Sequence, residues 1–208
     1  MRAVIFDLDG TLIDAASDIT AKLNDVLAAD GLAPLTLPEV RNMIGDGAKV
    51  LVQRAFAARG SVAQPRHFDH FMDIYGKNPV IHTVVYDGIL PALEELQAQG
   101  RPLGICTNKP MHATREVLDA LNLTRFFGAV VGGDATPYRK PDPRHLAAVL
   151  AELEVTDAIM VGDHANDMKA AAGLKLPGIF CAWGYGEGQG EALAKTPAAL
   201  PEIIARLG

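Results

Sequence analysis

The sequence predicts an α/β fold in which a parallel sheet carries helices on both faces and is interrupted near its start by a helical insert. Two observations support this prediction. From residue 93 onward, short apolar runs alternate with amphipathic helical stretches, which is typical of β-α-β units. Between residues 14 and 78 the apolar residues have helical spacing and no strand signal appears.

The first strand is predicted over residues 3–6, where an apolar run with two β-branched residues indicates burial on both faces. It is followed by Asp7 and Asp9, then by Gly10 and Thr11. Ligand chemistry in open parallel sheets lies at the carboxyl ends of strands. A surface turn that uses Asp and Gly for local hydrogen bonds is the alternative. A surface turn would account for a single Asp-Gly pair, but less well for two acids, a glycine and a threonine at the end of a buried strand. We therefore predict that Asp7 and Asp9 share a cation or a proton.

The insert is predicted to contain four helices, the first ending at Gly31 and the others spanning residues 38–44, 48–58 and 65–75. Its linkers are expected at residues 12–14 and 79–86. This assigns residues 1–13 and 83–208 to one α/β core domain and residues 14–82 to the insert. Gly45 and Lys49 lie between two insert helices and are candidate substrate contacts, although a plain helix–helix turn explains them equally well.

The remaining elements alternate along the chain. Strands are predicted over residues 103–106, 129–131, 159–161 and 179–181, and helices over residues 93–99, 113–121, 144–153, 166–172 and 197–207, the last with Thr196 as N-cap. Polar residues follow the strand ends: Thr107, Asn108 and Lys109, then Asp134 and Lys140, then Asp163 and Asp167. If the sheet is parallel, these residues gather at one edge. Carboxylates and a hydroxyl without a Cys/His cluster suit Mg²⁺, and lysine with threonine suits an anion, which together suggest phosphoryl transfer.

Composition narrows the classes of function. The net charge of −6 does not favour binding to nucleic acid or to an anionic membrane, since both are negatively charged. No apolar run approaches the roughly 20 residues needed to span a bilayer, and the start of the chain lacks a signal-peptide pattern. Cys106 and Cys181 both lie in apolar runs, so we expect buried thiols and a cytoplasmic location. A monomer and a homodimer both remain open.

The strand-end motifs resemble those of the haloacid dehalogenase-like phosphatases, in order and spacing: residues 7–11, Thr107, Lys140 and residues 162–167. Residues 86–88, 107–110, 131–134, 139–143 and 183–185 resemble the phosphoglycolate phosphatase branch. The resemblance implies a Rossmann-like core, and the insert is placed like the helical cap domain of that branch.

The resemblance also implies roles for the motif residues. Asp7 would attack phosphorus and form an aspartyl-phosphate. Because two close carboxylates resist ionising together, Asp9 would carry the proton for the leaving alkoxide. Mg²⁺ would bind Asp7, the backbone carbonyl of Asp9, Asp163 and, directly or indirectly, Asp167.

The same resemblance assigns residues to the phosphate and the substrate. Thr107 and Lys140 would hold the phosphoryl oxygens, and Thr11 would orient Asp9 by a hydrogen bond. The expected phosphate and substrate contacts are Gly10, Thr11, Thr107, Asn108, Lys140, Gly45 and Lys49.

Structural alternatives exist for several of these residues. Asp163 suits a helix N-cap, and Asp167 suits a first helical turn through the dipole alone. Lys140 and Lys109 suit a solvated surface. His164 departs from the small hydroxyl residue expected after Gly-Asp, and is expected to fill a loop. The other histidines show no metal-ligand spacing, and His112 and His145 are expected on helix surfaces.

We therefore predict a Mg²⁺-dependent phosphatase acting on a small-metabolite phosphomonoester, with 2-phosphoglycolate as the leading candidate. Sugar phosphates, nucleotides and pyrophosphate share the same motifs and remain open. The resemblance disfavours a mutase, which usually has an apolar residue in place of Thr11, and a dehalogenase, which lacks the counterpart of Asp9. A catalytically silent module that binds a phospholigand is the alternative from another class. Neither nucleic acid nor membrane is an expected partner.

Overall fold

A computed structural model describes residues 1–77 and 80–208 of the chain. In chain order, its strands are β1 (Ala3–Phe6), β2 (Ile13–Asp14), β3 (Val84–Val85), β4 (Leu103–Cys106), β5 (Ala129–Val131), β6 (Ala158–Gly162), β7 (Gly178–Cys181) and β8 (Ala192–Ala194). Its α-helices are α1 (Ala16–Ala29), α2 (Leu37–Arg41), α3 (Ala48–Ala57), α4 (Pro65–Lys77), α5 (Ile89–Ala98), α6 (Met111–Ala120), α7 (Pro143–Glu152), α8 (Ala165–Gly173) and α9 (Leu200–Leu207). None of the described helices has the length and apolar character needed to cross a bilayer.

The main sheet has six strands in the order β5-β4-β1-β6-β7-β8, and each neighbouring pair is parallel. Its centre is β1, whose side chains alternate between two apolar clusters. Val4 and Phe6 belong to the cluster that contains Leu93 of α5. Ile5 belongs to the cluster that contains Leu146 of α7. The sheet therefore carries helices on both faces, and the predicted α/β fold is confirmed.

The helical insert leaves and rejoins the core through two short strands. β2 and β3 pair antiparallel, with Ile13 opposite Val85 and Asp14 opposite Val84. Helices α1 to α4 lie between these strands in the chain. The linkers expected from the sequence coincide with these two strands, which the sequence does not predict. Asn78 and Pro79, the expected end of the helical region and the expected start of the second linker, lie outside the described residues.

A buried carboxylate, Asp18 of α1, holds the chain that returns from the insert. Asp18 is 1% exposed. Its carboxylate accepts hydrogen bonds from the backbone amides of Ile81, His82 and Thr83, and from the Thr83 hydroxyl at 2.6 Å. Because this one side chain satisfies three consecutive amides, the segment before β3 is tied directly to the first insert helix.

The predicted elements differ from the observed ones mainly at their ends. The α2 helix ends at Arg41 rather than at residue 44, because the chain continues in tight turns such as Val40 O to Met43 N. A 3₁₀ turn over Pro197–Ala199 precedes α9, and Thr196 precedes that turn without a side-chain capping bond. The β8 strand was missed because its sequence, Ala-Leu-Ala, has no β-branched or aromatic residue.

Candidate active site

The carboxyl ends of the three central strands bring the main polar residues together. Asp7 follows β1, Thr107 follows β4 and Asp163 follows β6. Because β1 lies between β4 and β6, these three residues come from adjacent strands at the same edge of the sheet. All three are buried.

Three buried carboxylates form a cluster at this edge. Asp7, Asp163 and Asp167 each place one carboxylate oxygen within 4.8 Å of the others. The Lys140 ammonium lies 2.9 Å from Asp7 Oδ1 and 2.7 Å from Asp167 Oδ1. One ammonium against three carboxylates leaves an excess of negative charge in a buried site.

The pKa values follow from that imbalance. Burial and the neighbouring Asp7 charge raise the pKa of Asp163. Burial also raises the pKa of Asp167, with Lys140 opposing it. Burial acts to lower the pKa of Lys140, but Asp167 and Asp7 outweigh it and raise that pKa above its ordinary value. A cluster of oxygen donors with uncompensated negative charge fits a hard divalent cation such as Mg²⁺.

Asp163 is held in place by two hydrogen bonds. Thr11 Oγ1 donates to its Oδ1, and the Tyr185 amide donates to its Oδ2, both at 2.8 Å. The chain reaches Thr11 through Gly10, whose φ of +85° and close approach to the Asp163 carboxylate leave no room for a side chain. The expectation that the Thr11 hydroxyl orients Asp9 is wrong: the hydroxyl bonds Asp163, and both Asp9 carboxylate oxygens contact Lys109 instead.

Asp9 lies in a different environment, paired with a buried lysine. Lys109 Nζ is 3.0 and 2.9 Å from the two Asp9 oxygens and 2.5 Å from the hydroxyl of Tyr75 on α4. Lys109 is only 7% exposed, so its interpretation as a solvated charge is wrong. Burial acts to lower the pKa of Lys109, but the Asp9 charge and Tyr75 outweigh it and raise that pKa.

A cavity of about 50 Å³ lies between the strand ends and the insert. Asp7, Asp9, Thr107 and Lys109 line it from the core side. Its insert side is mainly apolar and consists of Ile19, Ile44, Gly45, Gly47, Ala48, Leu51, Phe71, Met72 and Tyr75. Most of the residues that line the cavity therefore belong to the insert, as expected for a cap.

Asn108 connects the insert to the core loop that carries Lys140. Its Nδ2 donates to the carbonyl oxygens of Gly45 and Lys140, both at 2.9 Å, and its Oδ1 accepts from the Lys140 amide at 2.9 Å. Gly47 has a φ of +88°, and a Cβ there would lie 2.9 Å from the Asn108 carbonyl oxygen. Of the two candidate substrate contacts in the insert, Gly45 lines the cavity. Lys49 is exposed and lines a separate surface depression with Val52 and Phe68.

Two histidines differ from expectation. His145 is buried, not on a surface: its Nε2 lies 3.0 Å from the Thr107 carbonyl oxygen. His164 is the N-cap of α8, where its Nδ1 accepts from the Asn166 amide at 3.2 Å and its own amide donates to Asp167 Oδ2 at 3.0 Å. The capping position considered for Asp163 is therefore taken by His164, and Asp163 faces the carboxylate cluster.

Comparison with known proteins gives the family. Residues 4–180 match the model of the haloacid dehalogenase-like hydrolases. The chain belongs to this family. A protein of Caulobacter vibrioides named phosphoglycolate phosphatase is 39% identical over 196 residues, which cover 91% of this chain and 83% of that protein. A protein of the same name from Cereibacter sphaeroides is 44% identical over 182 residues, covering 85% of this chain and 84% of the relative.

The fold of this haloacid dehalogenase-like hydrolase also matches solved structures. The crystal structure of a predicted phosphoglycolate phosphatase from Haemophilus somnus 129pt superposes with a TM-score of 0.91 at 26% identity, covering 98% of this chain and 97% of the other. The match extends over core and insert alike. The resemblance to the phosphoglycolate phosphatase-like branch of the family is confirmed.

Sequence reasoning missed some contributors to this site. Tyr75 and Tyr185 had no assigned role, yet Tyr75 contacts Lys109 and the Tyr185 amide contacts Asp163. The Tyr185 hydroxyl also donates to Asp14 in β2 at 2.7 Å. For Lys109 a signal was present, because it follows Thr107 at the end of a central strand. For the tyrosines there was none, because their positions depend on how distant segments pack.

Proposed function

We propose that this protein is a Mg²⁺-dependent phosphatase that hydrolyses a small phosphomonoester, with 2-phosphoglycolate as the best candidate. The observation that carries the proposal is the carboxylate cluster of Asp7, Asp163 and Asp167, with Lys140 in contact with two of its members. The relatives named phosphoglycolate phosphatase support the choice of substrate.

Asp7 is the proposed nucleophile. A bond forms between one of its carboxylate oxygens and phosphorus while the bond from phosphorus to the ester oxygen breaks. Asp9 takes up a proton from solvent when the substrate binds and gives it to the departing oxygen. Asp9 then takes a proton from water, whose oxygen attacks phosphorus, so that inorganic phosphate is released and Asp7 is restored.

The other residues of the site position the reacting groups and neutralise their charges. Lys140 restrains Asp7 at 2.9 Å and supplies positive charge where phosphoryl charge develops, together with the Thr107 hydroxyl. Asp7, the Asp9 backbone carbonyl, Asp163 and Asp167 are the proposed Mg²⁺ ligands, with Asp167 direct or through water. Bound Mg²⁺ would offset the repulsion between an anionic nucleophile and an anionic phosphate.

The covered cavity supports a small substrate. Its volume of about 50 Å³ and the insert residues along one side leave little space for a macromolecule. Cys106 and Cys181 are free and buried, which is consistent with the proposed cytoplasmic location.

The test is phosphate release from a panel of phosphoesters with Mg²⁺. The panel contains 2-phosphoglycolate, sugar phosphates, a nucleoside monophosphate and pyrophosphate. We expect the highest kcat/KM for 2-phosphoglycolate. Equal rates across the panel would reject the substrate, and no release from any of them would reject phosphatase activity.

A further inference from the structure

Lys109 is the buried cation of the cavity. Among the described residues that line this cavity, Lys109 is the only lysine, arginine or histidine. Its ammonium contacts both oxygens of Asp9 and the Tyr75 hydroxyl, and it lies 4.7 Å from the centroid of the Tyr75 ring. The ammonium is thus held by one carboxylate and by the aromatic side chain of the insert.

The surroundings make this ammonium dependent on an anion. The adjoining insert side of the cavity is apolar, formed by Ile19, Ile44, Leu51, Phe71 and Met72. A buried charge in such an environment is strongly destabilised unless an opposite charge is in contact with it. In the described structure Asp9 supplies that charge.

Asp9 cannot be both the proton donor and the anion that Lys109 requires. When Asp9 carries the proton that it donates, it is neutral, and Lys109 loses its anionic contact. A substrate that brings its own carboxylate into the cavity would replace the lost contact. A substrate with a neutral tail would leave the ammonium partly unpaired.

We propose that Lys109, assisted by the Tyr75 hydroxyl, recognises the carboxylate of the substrate and thereby selects phosphoesters of short 2-hydroxy acids. This inference rests on the proposed phosphatase function. The short distance between the groups supports it: Lys109 touches Asp9, and Asp9 is the proton donor proposed for the ester oxygen. In the phosphoester of a 2-hydroxy acid, one carbon separates the ester oxygen from the carboxylate, so both groups fit beside Asp9 and Lys109.

The experiment compares two substrates of equal chain length. In 2-hydroxyethyl phosphate, a neutral CH₂OH group replaces the carboxylate of 2-phosphoglycolate. For Lys109→Met, kcat/KM for 2-phosphoglycolate should fall roughly 10- to 100-fold, the loss expected for a charge-assisted contact. The value for 2-hydroxyethyl phosphate should change less than about threefold. Lys109→Arg should restore part of the preference for 2-phosphoglycolate over 2-hydroxyethyl phosphate. Tyr75→Phe should reduce this preference by about fivefold, the effect expected for the loss of one hydrogen bond.

Lys22→Met is the matched control. Lys22 is also buried, and its ammonium lies 5.2 Å from the centroid of the same Tyr75 ring, but it does not line the cavity. This variant should keep the wild-type ratio between the two substrates. A parallel fall for both substrates in Lys109→Met would overturn the inference, because it would indicate a role in placing Asp9 alone.

A binding measurement covers the case in which the activity of Lys109→Met is too low. In an Asp7→Asn background, calorimetry should show that Lys109→Met weakens 2-phosphoglycolate binding roughly 10- to 100-fold while inorganic phosphate binding is unchanged. Equal weakening of both ligands would overturn the inference. If the wild-type protein hydrolyses both substrates without preference, the inference about Lys109 fails but the proposed phosphatase function stands. If it hydrolyses neither substrate, the proposed function itself fails.

Discussion

Thr11 donates a hydrogen bond of 2.8 Å to Asp163, a residue 152 positions away in the chain. Thr11 follows the first strand of the sheet, and Asp163 follows its neighbour β6. The Asp163 carboxylate therefore depends on a hydroxyl from another motif for its orientation. Thr11, expected to orient Asp9, instead orients a proposed metal ligand.

Thr11→Val should weaken Mg²⁺ binding. Loss of a hydrogen bond that orients a metal ligand typically lowers metal affinity about 10- to 100-fold. The measurement is the Mg²⁺ concentration that gives half-maximal phosphate release, which should rise while kcat at saturating Mg²⁺ falls little. Thr11→Ser keeps the hydroxyl and should resemble wild type. Equal Mg²⁺ dependence in Thr11→Val and Thr11→Ser would contradict this role.

Mg²⁺ should stabilise the folded protein through the carboxylate cluster. An ion that binds only the folded state at about 100 times its Kd adds about 2.7 kcal/mol, which corresponds to a rise in Tm of about 5–10 °C for a chain of this size. EDTA should reverse the rise and stop turnover. Asp163→Asn should show a much smaller rise. An identical rise in wild type and Asp163→Asn would place the ion elsewhere.

Asp7→Asn should abolish phosphate release. Removing a nucleophile typically lowers kcat by about 10⁴-fold or more, whereas the amide is nearly isosteric with the carboxylate and should leave the fold intact. Circular dichroism and a phosphate-release assay with 2-phosphoglycolate measure the two effects separately. A folded Asp7→Asn variant with substantial turnover would exclude Asp7 as the nucleophile.

Asn108→Ala should loosen the contact between the insert and the core. The change leaves the Gly45 carbonyl and the backbone amide and carbonyl of Lys140 without their side-chain partner, at a cost of about 2–3 kcal/mol. Urea unfolding should show this loss, and KM should rise because the residues that cover the cavity are held less firmly. Lys49→Ala, at an exposed position in the same insert, should leave both quantities near the wild-type values.

Asp18 should make the stability depend on pH in the acid range. Burial acts to raise the pKa of Asp18, but hydrogen bonds from the Thr83 hydroxyl and the amides of Ile81, His82 and Thr83 outweigh it and lower that pKa. The folded pKa therefore lies below the unfolded value of about 4. The resulting stabilisation is complete above that value and is lost as the pH falls through the lower, folded pKa.

Asp18→Asn should cost about 2–3 kcal/mol of unfolding free energy near pH 7, and less as the pH drops below about 4. Urea unfolding at several pH values measures both effects. Asp25→Asn, at an exposed position of the same helix, should change neither. A constant difference between wild type and Asp18→Asn across this range would contradict the assignment.

The sequence was sufficient for the main architecture because the apolar strands have short, distinct patterns and each is followed by polar residues. Parallel pairing then brings Asp7, Thr107 and Asp163 to one edge without further information. Lys140 and Asp167 follow β5 and β6 less directly, because Lys140 lies in the loop after β5 and Asp167 in the first turn of α8. Their 2.7 Å contact also depends on Asn108, which holds the Lys140 backbone.

The partners of these residues could not be predicted from spacing. Whether Thr11 faces Asp9 or Asp163 depends on the turn at Gly10. Burial of Lys109 depends on α4, which brings Tyr75 over it from the insert. Lys49 and Gly45 lie four residues apart, yet only Gly45 reaches the cavity, because α3 directs Lys49 outward. Such contacts are properties of packing between distant segments.

The pairing of β2 with β3 has a consequence for how the insert can vary. Since Asp14 and Val84 lie side by side, the polypeptide exits and re-enters the core at nearly the same point. A segment of another length or shape can then be spliced at this ribbon without displacing the central strands. Exchange of residues 16–82 between relatives is therefore a direct route to chimeras that keep the proposed nucleophile and test whether the insert selects the substrate.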